Sequence, residues 1–152
     1  MQNSIPTITH RLDIFAIIIF LGVIQGIILS YFFLSRKKGP VVSNRLFGLI
    51  LIALSAISFE IFLCYTGYVG KLLFLADFSE PFNFTLGPLF YLYVLSKVSD
   101  KKSLRFRQYF HLLPFVLYAL YSILFFIQGQ AEKYNAYISA YYPNEPHLQS
   151  IR

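Results

Sequence analysis

Long apolar runs alternate with short polar or basic breaks along this chain, on the length scale of a bilayer. Ile14 to Leu34 is apolar almost throughout and ends in Arg36, Lys37 and Lys38. Leu46 to Tyr65 follows, interrupted by one charge, Glu60. Pro81 to Val98 is mostly apolar, holds Gly87 and Pro88, and has Lys97 at its end. Ser79 is a suitable N-cap with Pro81 in the first turn, so this helix is expected over 79–98. Phe110 to Ile127 is the fourth run, with Pro114 in its first turns. A hydrocarbon core of about 30 Å needs roughly 20 helical residues. Continuously apolar runs point to helices, whereas a barrel would alternate. The pattern therefore predicts an all-α integral membrane helical bundle of four transmembrane helices. The spans are 14–34, 46–65, 79–98 and 110–127 within a membrane domain 1–127, and a tail 128–152 follows.

Composition agrees with that pattern. The 152 residues are 57% hydrophobic, 19% aromatic and only 13% charged. A soluble domain carries roughly 25% charged residues, and one this small cannot hide so much apolar surface. Disorder is excluded because disordered chains are polar and poor in aromatics. One cysteine, Cys64, leaves no disulfide framework or cysteine metal site within the chain. Met1 to His10 has no lysine or arginine, and the first run is too long for a signal-peptide core, so it reads as an uncleaved span.

The net charge of +6 would suggest nucleic acid in a soluble protein, but here the basic residues sit between apolar runs. Arg36, Lys37, Lys38 and Arg45 lie between spans one and two. Lys97, Lys101, Lys102, Arg105 and Arg107 lie between spans three and four. The segment between spans two and three offers Lys71 against Asp77 and Glu80. Lysine and arginine concentrate on the cytoplasmic side. Loops 35–45 and 97–109 are therefore expected in the cytoplasm, with the N-terminus and tail outside a cell (inner) membrane. Tyr134, Tyr137 and Tyr141 share a helical face in the tail, with Tyr142 beside it. They predict a short amphipathic segment on the outer membrane surface, with an aromatic ligand lid as the alternative. Pro143 and Pro146 would end it.

Several residues inside the runs call for a physical reason. Gly22, Gly26 and Ser30 recur every four residues, a spacing that admits a second helix closely, either within the bundle or in self-association. Gln25 lies near mid-membrane beside them and needs hydrogen-bond partners, so it is expected to face another helix. Glu60 is the one ionisable group well inside a span. It fits either a structural, interfacial role or a ligand, proton or ion role. Ala53 and Ala56 share its face, which suggests packing against protein. Gly87 and Pro88 predict either a kink that frees backbone groups to line a cavity or a local irregularity. Tyr91 and Tyr93 follow with hydroxyls to satisfy, and His111 precedes Pro114. The sequence holds no nucleophile–base pair, metal-ligand cluster or phosphate loop, so no enzyme, cofactor or metal is expected.

Three segments together carry a family resemblance. They are Leu21 to Gly26 followed by Ser43-Asn44-Arg45-Leu46, Leu86 to Val94, and Phe106 to Tyr118. Their order is similar to the N-terminal membrane region of bacterial membrane-bound AraC-type transcriptional regulators. The resemblance implies a multi-span sensor that relays an outer or intramembrane signal to a cytoplasmic helix-turn-helix domain. That domain is missing here, so DNA is a partner only through it, and the lipid bilayer is the direct partner. Four spans from an outer N-terminus leave the end outside, which suits the front of an interrupted regulator. Gln25, Glu60, Gly87, Pro88 and Tyr91 are the expected signal-sensitive core. The alternative is a small self-standing four-helix membrane transporter. It fits less well, because Glu60 lies in the second span toward the outside.

Overall fold

A computed structural model describes residues 12–70, 72, 75–98, 106–127 and 129–141, and every element among them is helical. Asp13 starts the first helix, α1 (Ile14–Ser35), by accepting the Ala16 N–H at 3.0 Å, which satisfies one otherwise orphaned amide. The chain reverses over 36–40, where Gly39 takes φ 81°. Helix α2 (Val41–Thr66) follows Pro40. It begins five residues before the expected span at Leu46, because hydropathy marks where an apolar run starts and not where a helix can. Ser43, Asn44 and Arg45 fit its first turns. Gly67, at φ 74°, ends it by donating its N–H to the Cys64 carbonyl at 3.2 Å, a left-handed cap that glycine adopts without steric cost.

A short 3-10 turn, Tyr68–Gly70, leads toward α3 (Glu80–Val98). This helix runs through Pro88 without ending. The fourth expected span differs more. Phe106–Leu112 winds as a 3-10 segment, and α4 covers Leu113–Ile127, with Pro114 in its first turn where a missing N–H costs least. Helix α5 (Gln130–Tyr141) is the expected tyrosine-rich segment. Tyr134 on it is buried, while Tyr142, Pro143 and Pro146 lie outside the described residues. Two helices, α1 and α2, are long and apolar enough to cross a membrane. Helix α4 has 15 residues, about 22 Å by the α-helical rise, and α3 opens on Glu80, Pro81 and Asn83.

The first four helices form an antiparallel row in which each packs on its neighbours in sequence. Small residues make the α1–α2 seam. The Ser30 hydroxyl donates to the Gly48 carbonyl at 2.8 Å, and Gly26 lies directly against the Ser55 side chain. Phe20 meets Phe62 at 5.1 Å and Phe33 meets Phe47 at 4.8 Å on either side of the seam. Between α2 and α3, Leu46 and Ile50 pack with Leu89 and Leu92, and Leu63 packs with Val69 and Ala76 at the opposite end. Helix α4 meets α3 through the Phe84–Tyr118 stack at 4.6 Å and the Phe82–Phe115 pair at 6.2 Å. Gly22 of the small-residue series is open, with nothing within reach of an added methyl.

The seam gives a sharp contrast. A methyl added at Gly48 would come within 2.8 Å of the Leu34 side chain and 3.3 Å of the Ser30 carbonyl. Gly48→Ala is expected to destabilise the chain by about 1–3 kcal/mol, the cost of overpacking a close contact. Gly22→Ala meets open space and should raise the midpoint of thermal unfolding slightly, since alanine is favoured over glycine in a helix interior by about 1 kcal/mol.

Candidate functional site

The antiparallel row separates charge by end. Arg36, Lys37, Lys38, Arg45, Lys97 and Arg107 are exposed at one end. Lys101, Lys102 and Arg105 lie outside the described residues. Asp13, Glu60, Asp77 and Glu80 gather at the opposite end, where α1 starts, α2 finishes and α3 begins.

The acidic groups act as joints between successive helices. Tyr65 near the end of α2 donates its hydroxyl to Asp13 at 2.6 Å. That bond, with the Ala16 amide, holds the Asp13 carboxyl below its ordinary value. Glu60 reaches across to the turn before α3. One carboxylate oxygen accepts the Asp77 N–H at 2.9 Å, and the other accepts the Ser79 N–H at 2.9 Å. These are charge-assisted bonds beside a helix N-terminus, where negative charge is favoured. Glu80 accepts a longer hydrogen bond, 3.4 Å, from the Tyr118 hydroxyl on α4. Asp77 holds the turn at φ 57°, a left-handed conformation that aspartate and asparagine tolerate better than most residues. Burial, and then the neighbouring charges of Glu60 and Glu80, push its carboxyl up.

Two adjoining cavities open on these groups. One, of about 510 Å³, is lined by Ile57, Glu60, Ile61, Cys64, Tyr65, Ser79, Glu80 and Asn83. The other, of about 230 Å³, is lined by Asp77, Glu80, Tyr118, Tyr121 and Ser122. A third groove, of about 240 Å³, lies between α1 and α2. Gly22, Gln25 and Gly26 line it with Leu29, Leu51, Leu54, Ser55 and Ser58.

The residues expected to form one signal-sensitive core fall in separate places. Glu60 belongs to the acidic end. Gln25 is exposed in the α1–α2 groove, and neither α3 nor α4 covers it, because the row does not fold back onto α1. Gly87 is exposed and Pro88 half-buried partway along α3. Tyr91 packs edge-on against His111 at 4.9 Å, toward the basic end. Asp13, Asp77, Ser79, Glu80 and Tyr118 carry the acidic end, and sequence reasoning did not assign them to a site. A signal for Asp13 was present, since an aspartate directly before an apolar run is an N-cap pattern. Among the described residues no group of three or more His, Cys, Asp or Glu side chains could hold a metal ion. Comparison with family models, curated proteins and solved structures finds no match for this chain.

The Glu60 joint predicts a specific exchange pattern. Glu60→Ala should speed hydrogen exchange at both the Asp77 and Ser79 amides and cost about 2 kcal/mol, given that hydrogen bonds to charged groups contribute about 1.5–3 kcal/mol each and this one is half-buried. Glu60→Gln should expose mainly one of the two amides. The raised carboxyl of Asp77 predicts a pH effect. Folding favours its protonated form, so this contribution is complete below the ordinary carboxylate value and is lost as pH rises through the raised one. Asp77→Asn suits the same backbone and cannot ionise. It should raise the unfolding midpoint at neutral pH, with the gain over wild type vanishing in acid.

Proposed function

We propose that this chain is the membrane-embedded sensory region of a transcription regulator of the AraC type. In this reading all four helices of the row span the membrane. The basic end faces the cytoplasm, and the acidic end, with the N-terminus and α5, faces outward. The observation that carries the membrane assignment is α1. It is apolar throughout, yet only 11% of its most apolar stretch is buried within the protein. Phe15, Ile17, Ile18, Leu21, Ile28 and Phe32 point away from the other helices. A core helix of a soluble protein would bury such residues, whereas a lipid-facing helix exposes them. The 3-10 segment and α4 together extend about 36 Å, enough to cross with some tilt. Arg36, Lys37, Lys38, Arg45, Lys97 and Arg107 at one end, with Lys133 on α5 the described exception, support the orientation. The regulatory part rests on the resemblance of the three segments around Leu21–Gly26, Leu86–Val94 and Phe106–Tyr118.

A proton-coupled transporter built on Glu60 would need that carboxylate free for exchange. Both of its oxygens accept backbone N–H groups, which argues for the structural role.

Cys64 is the sole cysteine, is exposed, and lies near the acidic end of α2. In intact cells it should react with a membrane-impermeant maleimide, and in inverted membrane vesicles it should be protected. Reaction only in inverted vesicles would overturn the orientation, and recovery of the protein in the soluble fraction after alkaline extraction would overturn the membrane assignment. The regulatory reading is tested by the coding DNA beyond Arg152. A further span and a helix-turn-helix domain in continuation are expected, and unrelated sequence would overturn it.

A further inference from the structure

The larger cavity at the acidic end has a chemistry that selects one class of ligand. Its volume of about 510 Å³ falls in the range of small-molecule sites, about 300–1,000 Å³. Ile57 and Ile61 supply an apolar wall, and Glu60, Ser79, Glu80 and Asn83 supply a polar one. Glu80 also lines the neighbouring cavity with Asp77, Tyr118 and Tyr121, so one carboxylate faces both spaces. Among the described residues, Glu60, Asp77 and Glu80 form no ion pair with a lysine or arginine. Ser79 is an independent pointer. It is only 4% exposed, it lines the cavity, and its hydroxyl makes no hydrogen bond. A hydroxyl on a nearly buried residue, with no hydrogen bond to any described group, is available to a ligand in the cavity.

Uncompensated carboxylates exclude an anionic ligand. A bare divalent cation fits poorly, because both Glu60 oxygens already accept amides and the isoleucine wall offers no oxygen ligands. An ammonium group on an apolar chain satisfies both walls. Its charge meets Glu80 and the nearby tyrosine rings, and its chain lies along Ile57 and Ile61. We infer that this cavity binds an ammonium group carried on an apolar chain. The inference rests on the sensory reading, in which such a ligand is the stimulus. The ammonium arrives either on a free amphiphile or as the head group of a neighbouring lipid.

Cys64 lines the cavity and reports its occupancy. The full chain is reconstituted in discs of phosphatidylglycerol, which carries no ammonium, and the rate of Cys64 alkylation by a small maleimide is followed. Decyltrimethylammonium is expected to slow alkylation about five-fold at a concentration several times its dissociation constant, by simple mass action. Decanol at the same concentration should have no effect. Glu80→Gln should abolish protection, read as the ratio of that variant's own liganded and unliganded rates. Asn83→Lys places a resident cation on the same wall and should abolish protection as well. Tyr118→Phe, which removes a hydrogen bond but no charge, should keep it. Slow alkylation in phosphatidylethanolamine discs without added amphiphile would assign the lipid as the source. Slowing in phosphatidylglycerol discs only on adding the amphiphile would assign the free cation. No slowing in either disc, equal slowing by decanol, or full protection in Glu80→Gln would overturn the inference. The readout needs no transcription, so a failure to bind is distinct from a failure of the regulatory reading.

Discussion

The carboxylate of Glu60 holds the start of α3 in place, and the rest of the row depends on that grip. Its two oxygens take the amides of Asp77 and Ser79, so the turn that would otherwise carry orphaned donors is fixed to α2. With that turn fixed, Glu80 sits where Tyr118 of α4 can reach it. Asp13 does the corresponding service one step earlier, through Tyr65. Three carboxylates thus tie α1 to α2, α2 to α3 and α3 to α4, all at one end. In lipid no hydrophobic force drives helices together, so close packing and polar contacts between helices decide association. A row without closure has no second route around a broken joint.

Like charge is the cost of this arrangement. Asp77 lies among Glu60 and Glu80, and its carboxyl is pushed up by burial and by both neighbours. The turn needs Asp77 for its left-handed backbone and for the amide it gives to Glu60. Neither need requires its charge. The α1–α2 seam makes the opposite bargain. Away from the Asp13–Tyr65 joint it is held without charge, by the Ser30–Gly48 hydrogen bond, the Phe20–Phe62 and Phe33–Phe47 pairs and the absence of a side chain at Gly26 and Gly48.

Much of the fold was legible along the chain, because apolar run length and helix breakers are local properties. The bounds of α1 and α3 follow from the runs at Ile14 and Ser79 to within a residue. The early start of α2 was not legible, since Ser43, Asn44 and Arg45 are polar yet helical. Nor was the 3-10 winding before α4, where Pro114 allows a helix start without dictating the geometry ahead of it. Of the small residues spaced by four, Gly26 and Ser30 lie in the α1–α2 seam, whereas Gly22 lies open. Gln25 shows the limit most clearly. Its need for a partner was plain from the sequence, but whether a third helix folds back over α1 is a long-range property that no local pattern encodes. Glu60 stood out as an isolated charge. Its partners are backbone amides 17 and 19 residues away, and backbone amides carry no sequence signature.

The chain's charge balance also inverts what its structure uses. The net charge of +6 comes from basic side chains, and of those described all but Lys133, which is buried on α5, lie exposed at one end. Arg36 and Lys97 rest near the rings of Phe32 and Tyr93, at 5.9 and 5.8 Å, and touch no carboxylate among the described residues. Long stems and free heads suit residues whose work is to remain in water. The acidic residues of the joints, Asp13, Glu60 and Glu80, accept hydrogen bonds that would otherwise go unmade. Majority charge marks one end of the row. Minority charge sets how the helices meet.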